Sequence, residues 1–286
     1  MKVMTQPAAL DAQSHPTTAL HLSAQRLAQL RQLLVSGAAI GVCIVGWYVL
    51  AHFKLNLGIV SFVNVPAPLE VLQSFVRFST LPDALSHLKA SVLRVQAGFF
   101  AAAIAGIALG VVIGRSALCR QLLMPPLEVL RPIPAVAWIP LAVLMFPSSE
   151  ISMIFITFLG ALFPILLNTI HGVEDVDPRL IASARSLGSQ RWSIFKEVVL
   201  PAATPNIVTG LAIGMGTCWF CLISAEMISG QLGIGYFTWE SFTLQNYADI
   251  IVGMLLIGAL GLFSSALIRW IGRQLTPWHH TGRKAS

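Results

Sequence analysis

Side chains that could do chemistry are few in this sequence, and the closest pair of cysteines is the first candidate. Cys218 and Cys221 lie three positions apart, a spacing that occurs in metal and redox sites. No histidine or carboxylate follows them at ligand spacing, and a structural zinc site usually takes four ligands. We therefore interpret both cysteines as small packing residues, and we predict neither a metal site nor a catalytic residue.

Two ionisable residues border or interrupt apolar stretches and are candidates for a transport path or gate. Arg131 lies near Pro134 and Trp138 in a stretch with prolines also at 125, 126, 132 and 140. A helix broken by prolines suits a water-filled path, although a kinked structural helix is the alternative. The guanidinium of Arg131 could attract a small anion or extend to the inner interface. Glu226 could contact a gate, pair with an arginine such as Arg94, or be a solvated interfacial carboxylate.

The most informative polar stretch runs from Glu174 to Leu200. Its apolar residues recur at roughly helical spacing, and Gly188 separates two predicted short helices. An apolar stripe on such a helix-turn-helix suits docking into a groove of a partner protein, and a solvated loop alone would not need it. The stripe consists of Leu180, Ile181, Ala184, Leu187, Ile194, Val198 and Val199.

The composition excludes a water-soluble fold, because 56% of the 286 residues are hydrophobic, 10% are charged and the mean hydropathy is +0.76. A charge at mid-bilayer costs about 2.5 to 3.5 kcal/mol on insertion scales, so charges tend to mark the ends of spans. Six charge-free intervals are about long enough for a helix to cross the hydrocarbon. They run from Arg31 to Lys54, Arg94 to Arg115, Arg131 to Glu150, Glu150 to Glu174, Lys196 or Glu197 to Glu226, and Asp249 to Arg269.

The distribution of lysine and arginine predicts the orientation of these six spans. With the N-terminus inside, thirteen of these residues fall in inner segments and four in outer ones, and Arg131 lies near the start of the third span. The reverse orientation would invert this ratio. The net charge of +6 then reflects a basic inner surface facing anionic lipid, and no nucleic-acid partner is needed to explain it.

Small residues predict close contacts between helices. Gly106, Gly110 and Gly114 recur every four positions in the second span, and Gly210 and Gly214 do so in the fifth. Such glycines let two helix backbones approach closely. The pattern leaves open whether the contacts lie within one subunit or between two.

The segment that follows the fourth span resembles the cytoplasmic loop signature of binding-protein-dependent ABC importer permeases, of the group that carries nitrate, sulfonates, taurine and bicarbonate. That signature reads EAA, three residues, Gly, nine residues, Ile, any residue, Leu, Pro. Similar stretches are NVPAPLEVL from Asn64, LRPIPAVAWIPL from Leu130, FPILLNTIHGV from Phe163 and SAEMI from Ser224. The residues at the signature positions, with the same spacing throughout, are Ala182, Ser183, Ala184, Gly188, Val198, Leu200 and Pro201.

The resemblance implies an all-α membrane protein with the type I importer fold, six transmembrane helices and both termini inside. It implies a polar N-terminal segment (1–31), a transmembrane permease domain (32–275) that includes a coupling loop (172–200), and a cytoplasmic tail (276–286). The expected location is the bacterial inner membrane. The residues expected to couple transport to ATP hydrolysis are Ala182, Ser183, Ala184, Arg185, Leu187, Gly188, Leu200 and Pro201.

The resemblance also implies the partners. Two copies of the permease would form a homodimer, with two cytoplasmic ATPase subunits and an extracytoplasmic solute-binding protein. ATP and Mg²⁺ would belong to the ATPase, and this chain, which has no phosphate-binding loop, would be neither an enzyme nor a carrier of a cofactor. The expected substrate is a small oxyanion or sulfonate such as nitrate, taurine, an alkanesulfonate or bicarbonate.

One departure from the signature and two alternative functions qualify this expectation. Ala182 stands where the signature has glutamate, and Ser183 replaces its first alanine, so any contact made by that carboxylate is absent or replaced here. Another small organic solute carried by the same family is one alternative, and a secondary carrier or channel is the other. A membrane-embedded enzyme is disfavoured, because the spans offer almost no histidine, aspartate or glutamate.

Overall fold

The computed structural model describes residues 17–56, 58 and 61–278, with side chains from residue 31 onward except residue 33. Residues 1–16 of the predicted N-terminal segment and 279–286 of the predicted tail lie outside the described residues. Within the described part the chain is helical, with a single isolated bridge between Asn56 and Ser61. The helices are α1 (Thr17–His52), α2 (Pro68–Thr80), α3 (Ala84–Arg115), α4 (Ala117–Leu130), α5 (Ile139–Met145), α6 (Ser149–Glu174), α7 (Pro178–Ser186), α8 (Arg191–Ile194), α9 (Leu200–Ser229), α10 (Ile234–Thr243) and α11 (Tyr247–Leu275).

The chain divides into two compact units after Glu70. The first contains α1, which begins at Thr17, inside the stretch predicted as a polar N-terminal segment. Only its second part, Leu34–His52, is apolar enough to span a membrane. Near the end of this helix the indole Nε1 of Trp47 donates a hydrogen bond to the carbonyl of Pro66, 3.1 Å away, which fixes the loop that follows.

Five continuous helical stretches of the described chain are long and apolar enough to cross a membrane. Four of them, Ala84–Arg115, Ser149–Glu174, Arg191–Ser229 and Tyr247–Leu275, belong to the second unit. A further pair, Ala117–Leu130 and Ala135–Met145, is bent by 82° and counts as one more span if its halves cross together.

Helices α3 and α6 pack side by side and run in the same direction. Each glycine of α3 at this interface lies closest to one residue of α6, and the separation in sequence between glycine and partner is the same for every pair. A constant separation means that the two helices run in the same direction. A Cβ placed on Gly110 would lie 2.6 Å from the Cβ of Thr169, so the two backbones are too close for a larger side chain. The pairs are Gly98 with Thr157, Gly106 with Ile165, Gly110 with Thr169, and Gly114 with Val173.

Helix α9 also packs against α6 and runs antiparallel to it. Gly210 faces Asn168 and Gly214 faces Ile165, so the residue number rises along one helix as it falls along the other. The sequence left open whether these glycines and those of α3 mediate contacts within one subunit or between two. The structure shows that both sets pack against α6 of the same chain.

This arrangement decides how the bent pair must be counted. Because α3 and α6 are parallel, the last residue of α3 and the first residue of α6 lie at opposite ends of the bundle. The chain between them must therefore cross from one end to the other. Arg120 near the start of α4 pairs with Glu174 at the end of α6, with 2.5 Å between Nη1 and Oε1. Ser152 at the start of α6 donates to the carbonyl of Ala142 in α5, 3.0 Å away. The bent pair therefore crosses the second unit once, and counting it as one span brings the candidate spans in the described part of the chain to the predicted six.

Three predicted span boundaries differ from the structure, because two charges that were taken as span ends lie inside helices and a third lies at the bend within a span. Arg94 lies well within α3, which begins at Ala84, and Glu226 lies within α9, which continues to Ser229. Arg131 follows the last residue of α4, so the third crossing begins near Ala117 and Arg131 lies at its bend.

Candidate functional site

Residues 175–199, which we call the connecting segment, join α6 to α9 through short helices, of which α7 is capped at its start. The carboxylate of Asp177 accepts a hydrogen bond from the backbone N–H of Arg179, 2.8 Å away, and Pro178 occupies the first position of α7. Helix α7 ends at Ser186, and Gly188, two residues further on, has a φ of +84° in the left-handed region that glycine adopts without steric cost. The predicted helix–glycine–helix arrangement is thus present.

The apolar stripe of the connecting segment serves two purposes, not the single docking role that its pattern suggested. Most of its residues pack against the same chain, around the buried side chains of Ile194 and Val199. Leu180 and Leu187 are instead 52% and 86% exposed. The residues in or against the internal cluster are Ile107, Val111, Val173, Val176, Ile181, Ala184, Ile194, Phe195, Val198, Val199, Leu200, Ala203, Ile207 and Leu211. The stripe therefore fixes the segment to the bundle and leaves only its edge free.

The start of α9 is also shaped by a proline. Pro201 has no N–H to bond with the carbonyl of Glu197, and a proline ring inside a regular helix clashes with that carbonyl. Residues Phe195–Val199 adopt a wider π-helical turn, in which the N–H of Leu200 bonds back to the carbonyl of Phe195. The guanidinium of Arg115 lies 5.1 Å from the centre of the Phe195 ring, which attaches the turn to α3.

The free face of the connecting segment is small and weakly charged. Ala182, Ser183 and Arg185 are exposed, and Ala184 is half-buried. Ser186 Oγ bonds to the carbonyl of Ala182, 3.1 Å away, within α7 itself. This face thus combines two small side chains with one cation, beside the exposed leucines, and the basic residues around it mark this end of the bundle as the inner end.

At the outer end, three helices are tied by a group of charges that we call the ionic cluster: Arg94 and Glu226, which are buried, and Glu150, which is exposed. Arg94 is 3% exposed and Glu226 is fully buried. The Nη1 atom of Arg94 lies 2.7 Å from Oε1 of Glu226, and its Nε atom lies 2.8 Å from Oε2 of Glu150. The second guanidinium nitrogen, Nη2, pairs with the other oxygen of Glu150. Glu226 is therefore not the solvated interfacial carboxylate that one interpretation held, because its partner Arg94 neutralises it inside the protein.

Polar groups around the ionic cluster complete its hydrogen bonds. The hydroxyl of Ser91 donates to Glu226 at 2.8 Å and accepts from the backbone N–H of Ile234 at 2.9 Å. The N–H of Gly235 donates to Oε2 of Glu226 at 2.9 Å. Gly233, with a φ of +136°, lies so close to this carboxylate that a Cβ there would overlap it. The turn before α10 is thus folded around the buried carboxylate.

The bend between α4 and α5 borders a cavity of about 480 Å³ that is open on one side. Arg131, Pro134 and Trp138 all line it, so three of the four candidate pathway residues lie together there. Pro134 precedes a single 3₁₀ turn, Ala135–Trp138, that connects to α5. Glu226 does not line this cavity and belongs to the ionic cluster instead.

Sequence analysis suggested an ion pair between Arg94 and Glu226. It did not identify Glu150, Ser91 or the turn at Gly233 as parts of this site. The sequence signal for these residues was a charge beside an apolar run. Such a charge can mark the end of a span or a side chain that is paired inside the protein.

Cys218 and Cys221 are buried between α6 and α9, where the Sγ of Cys221 fills the space beside Gly160. In the described part of the chain, no three His, Cys, Asp or Glu side chains come together as metal ligands.

Comparison with known proteins shows which family this chain belongs to. The profile of the family described as binding-protein-dependent transport system inner membrane component matches residues 102–279. The chain belongs to this family. It is 38% identical over 208 residues to the nitrate import permease protein NrtB of Leptolyngbya laminosa, covering 72% of this chain and 75% of NrtB. It is 32% identical over 254 residues to the taurine transport system permease protein TauC of Escherichia coli K12, covering 87% of this chain and 91% of TauC.

A solved structure supports the fold of this inner membrane component. The inward-facing MetNI methionine ABC transporter contains a chain that aligns with a TM-score of 0.53 and 19% identity, covering 68% of this protein and 94% of that chain. The predicted family, all-helical importer-permease fold and multi-pass inner-membrane location are confirmed by these findings together with the membrane-spanning helices. The protein is therefore a permease component of an ABC importer.

Proposed function

We propose that this permease carries a small anion, an oxyanion or a sulfonate, across the inner membrane. Two copies would form the path, two cytoplasmic ATPase subunits would bind and hydrolyse ATP with Mg²⁺, and an extracytoplasmic binding protein would deliver the substrate. The permease itself would do no covalent chemistry. The substrate class rests on the names of the relatives, nitrate for NrtB and taurine for TauC, both of which carry an anionic group.

One observation carries the proposal: the connecting segment is fixed to three spans yet leaves one face free. Val176, Ile194 and Val199 are buried against α6 and the start of α9, and Arg115 of α3 lies over Phe195. Leu187, by contrast, is 86% exposed beside Gly188. A segment that only linked two helices would not need both a rigid inner face and an apolar outer edge.

The free face suggests how an ATPase would engage. Leu180 and Leu187 would enter an apolar groove, while Arg185 would meet a carboxylate at its rim. Ala182 presents no carboxylate at the position where the family signature has glutamate, so here the docking would depend on shape and on apolar contact. Closure of the two ATPase subunits would then move α7, and the internal cluster would transmit that movement to α6 and α9.

The experiment reconstitutes the permease with its candidate ATPase and binding proteins in lipid vesicles and measures ATP hydrolysis and solute uptake. Leu187→Asp should abolish assembly with the ATPase, because a charge would enter the apolar contact. Leu81→Asp is the matched control, since Leu81 is an exposed leucine, 49% exposed, in the outer turn before α3. It should assemble normally.

Two results would refute the proposal. Normal assembly and ATP-driven uptake by the Leu187→Asp variant would show that the free face does not dock the ATPase. Uptake by the wild-type permease without any ATPase would favour a secondary carrier or channel. A panel of nitrate, bicarbonate, taurine and an uncharged organic solute distinguishes an anion permease from a permease for another small solute.

A further inference from the structure

The cavity at the bend between α4 and α5 has one charged group in an otherwise apolar wall. Its lining includes Leu130, Phe155, Phe163 and Phe220, and among the described residues that line it only Arg131 carries a charge. Apolar walls exclude water and strengthen an electrostatic contact made inside them. The cavity therefore has the composition of a binding site for a small ligand, mostly apolar with one polar anchor.

The contacts of α4 place Arg131 between the two ends of α6. Arg120 pairs with Glu174 at the inner end of α6, and Leu127 packs against the cluster containing Leu166. Leu166 is eight residues from Glu174, or roughly 12 Å along the helix, and Arg131 is one turn further, roughly 18 Å from that end. Helix α6 has 26 residues and is about 39 Å long.

The guanidinium of Arg131 has no carboxylate partner among the residues that the structure describes. Their three ion pairs involve only Arg94 and Arg120 as cations. Glu128 lies one turn before Arg131 on α4, but it is not in the wall of the cavity and forms none of these pairs. Arg131 is exposed and lines the cavity, so its N–H donors can meet a ligand there.

We propose that Arg131 binds the anionic group of the substrate during its passage and selects for anions. The planar guanidinium can donate two parallel hydrogen bonds to two oxygens of a nitrate, carboxylate or sulfonate group, which a point charge cannot do. The surrounding phenylalanines remove water from the contact. This inference rests on the proposed function, since it names the residue of the transport path that the substrate touches.

The alternative explanation is that Arg131 only stabilises the bend between α4 and α5. Its backbone N–H bonds to the carbonyl of Leu127 at 2.9 Å, so the residue terminates α4, where a cation interacts favourably with the helix dipole. A stabilising cation would affect folding and ATP hydrolysis together. An anion contact would affect the amount of solute moved per ATP hydrolysed, and this difference separates the two roles.

The test uses the complete complex of permease, ATPase and binding protein in vesicles, with nitrate and taurine as probes. Arg131→Gln should lower uptake of the transported anion per ATP by about 10- to 100-fold, the loss expected for a charge-assisted hydrogen bond. Arg131→Lys should keep part of the uptake, because it retains the charge without the two-point contact. Arg273→Gln, at an exposed cation near the inner end of α11, is the matched control and should keep the wild-type ratio.

The outcomes separate this inference from the proposed function. If Arg131→Gln and Arg131→Lys both keep the wild-type uptake per ATP, or if hydrolysis and uptake fall equally in both, Arg131 does not bind the anion. If Arg131→Gln fails to assemble, Arg131→Lys decides alone, by a selective loss of uptake. If the wild-type permease neither assembles with an ATPase nor gives ATP-driven uptake, the proposed function itself fails, and this inference with it.

Discussion

The ionic cluster allows a graded prediction, because its three members differ in burial. Arg94 and Glu226 are almost completely buried, whereas the side chain of Glu150 is 60% exposed. Arg94→Met would leave the carboxylate of Glu226 buried with only the donors of Ser91 and Gly235. Breaking a buried pair in this way costs about 3 to 5 kcal/mol, because an uncompensated charge remains inside the protein. We expect Arg94→Met to lower the free energy of unfolding by that amount.

Glu150→Gln is the matched control for this variant. It removes the negative charge of Glu150, the exposed partner of the Arg94 guanidinium. An exposed ion pair contributes about 1 kcal/mol or less to stability. Arg94 would still be paired with Glu226, 2.7 Å away. The expected loss is therefore small, although the substitution touches the same arginine.

A double variant isolates the charge from the loss of packing. Arg94→Met combined with Glu226→Met removes both buried charges and fills the space with apolar side chains of comparable length. Since replacing a buried ion pair by apolar residues is often neutral, the double variant should be more stable than Arg94→Met alone. The coupling between the two positions follows from the double-mutant cycle.

The assay is unfolding in mixed micelles with increasing sodium dodecyl sulfate, followed by tryptophan fluorescence. The order of stability should be wild type, Glu150→Gln, then Arg94→Met, with the double variant above Arg94→Met. A loss for Arg94→Met within about 1 kcal/mol of that for Glu150→Gln would contradict the reasoning, because burial would then not set the cost.

Three further predictions use the same unfolding assay or the purified complex. Gly110→Ala should cost about 1 to 3 kcal/mol through overpacking against α6, whereas Gly216→Ala, where a Cβ meets nothing within 4 Å, should gain about 0.5 to 1 kcal/mol of unfolding free energy. Gly188→Ala strains a left-handed position by about 1 to 2 kcal/mol and should weaken binding of the ATPase about tenfold, as measured by titration of the two purified components. Arg120→Gln removes an exposed pair with Glu174 and should change the unfolding free energy by less than about 1 kcal/mol.

Much of the fold follows from the sequence because its signals are local. Charge-free runs of sufficient length identify spans, and Asp177, Pro178 and Gly188 mark the ends of α7 by rules that involve only neighbouring residues. The connecting segment could therefore be predicted closely. The rule that charges end spans failed at Arg94 and Glu226, because each charge neutralises the other inside the protein.

The partners within the bundle could not be predicted, because they are distant in the chain. Arg94 is 132 positions from Glu226 and 56 from Glu150, and no local pattern links them. Similarly, the glycines of α3 and α9 indicated close packing without naming α6 as the shared neighbour. The role of the apolar stripe was also ambiguous, since Ile194 and Leu187 have the same helical spacing but opposite exposure.

The contacts along the bundle also indicate where relative movement should occur. Glycines of α3 and α9 hold α6 tightly over most of its length, the internal cluster fixes the connecting segment at the inner end, and the ionic cluster ties the outer end. A force applied to α7 would therefore move α3, α6 and α9 together. The bent pair is joined by an 82° break with prolines on both sides of Ile133, where regular helical hydrogen bonds cannot form. We expect the displacement to concentrate at this bend, so that ATP-driven movement would change the surroundings of Arg131 more than those of Glu226.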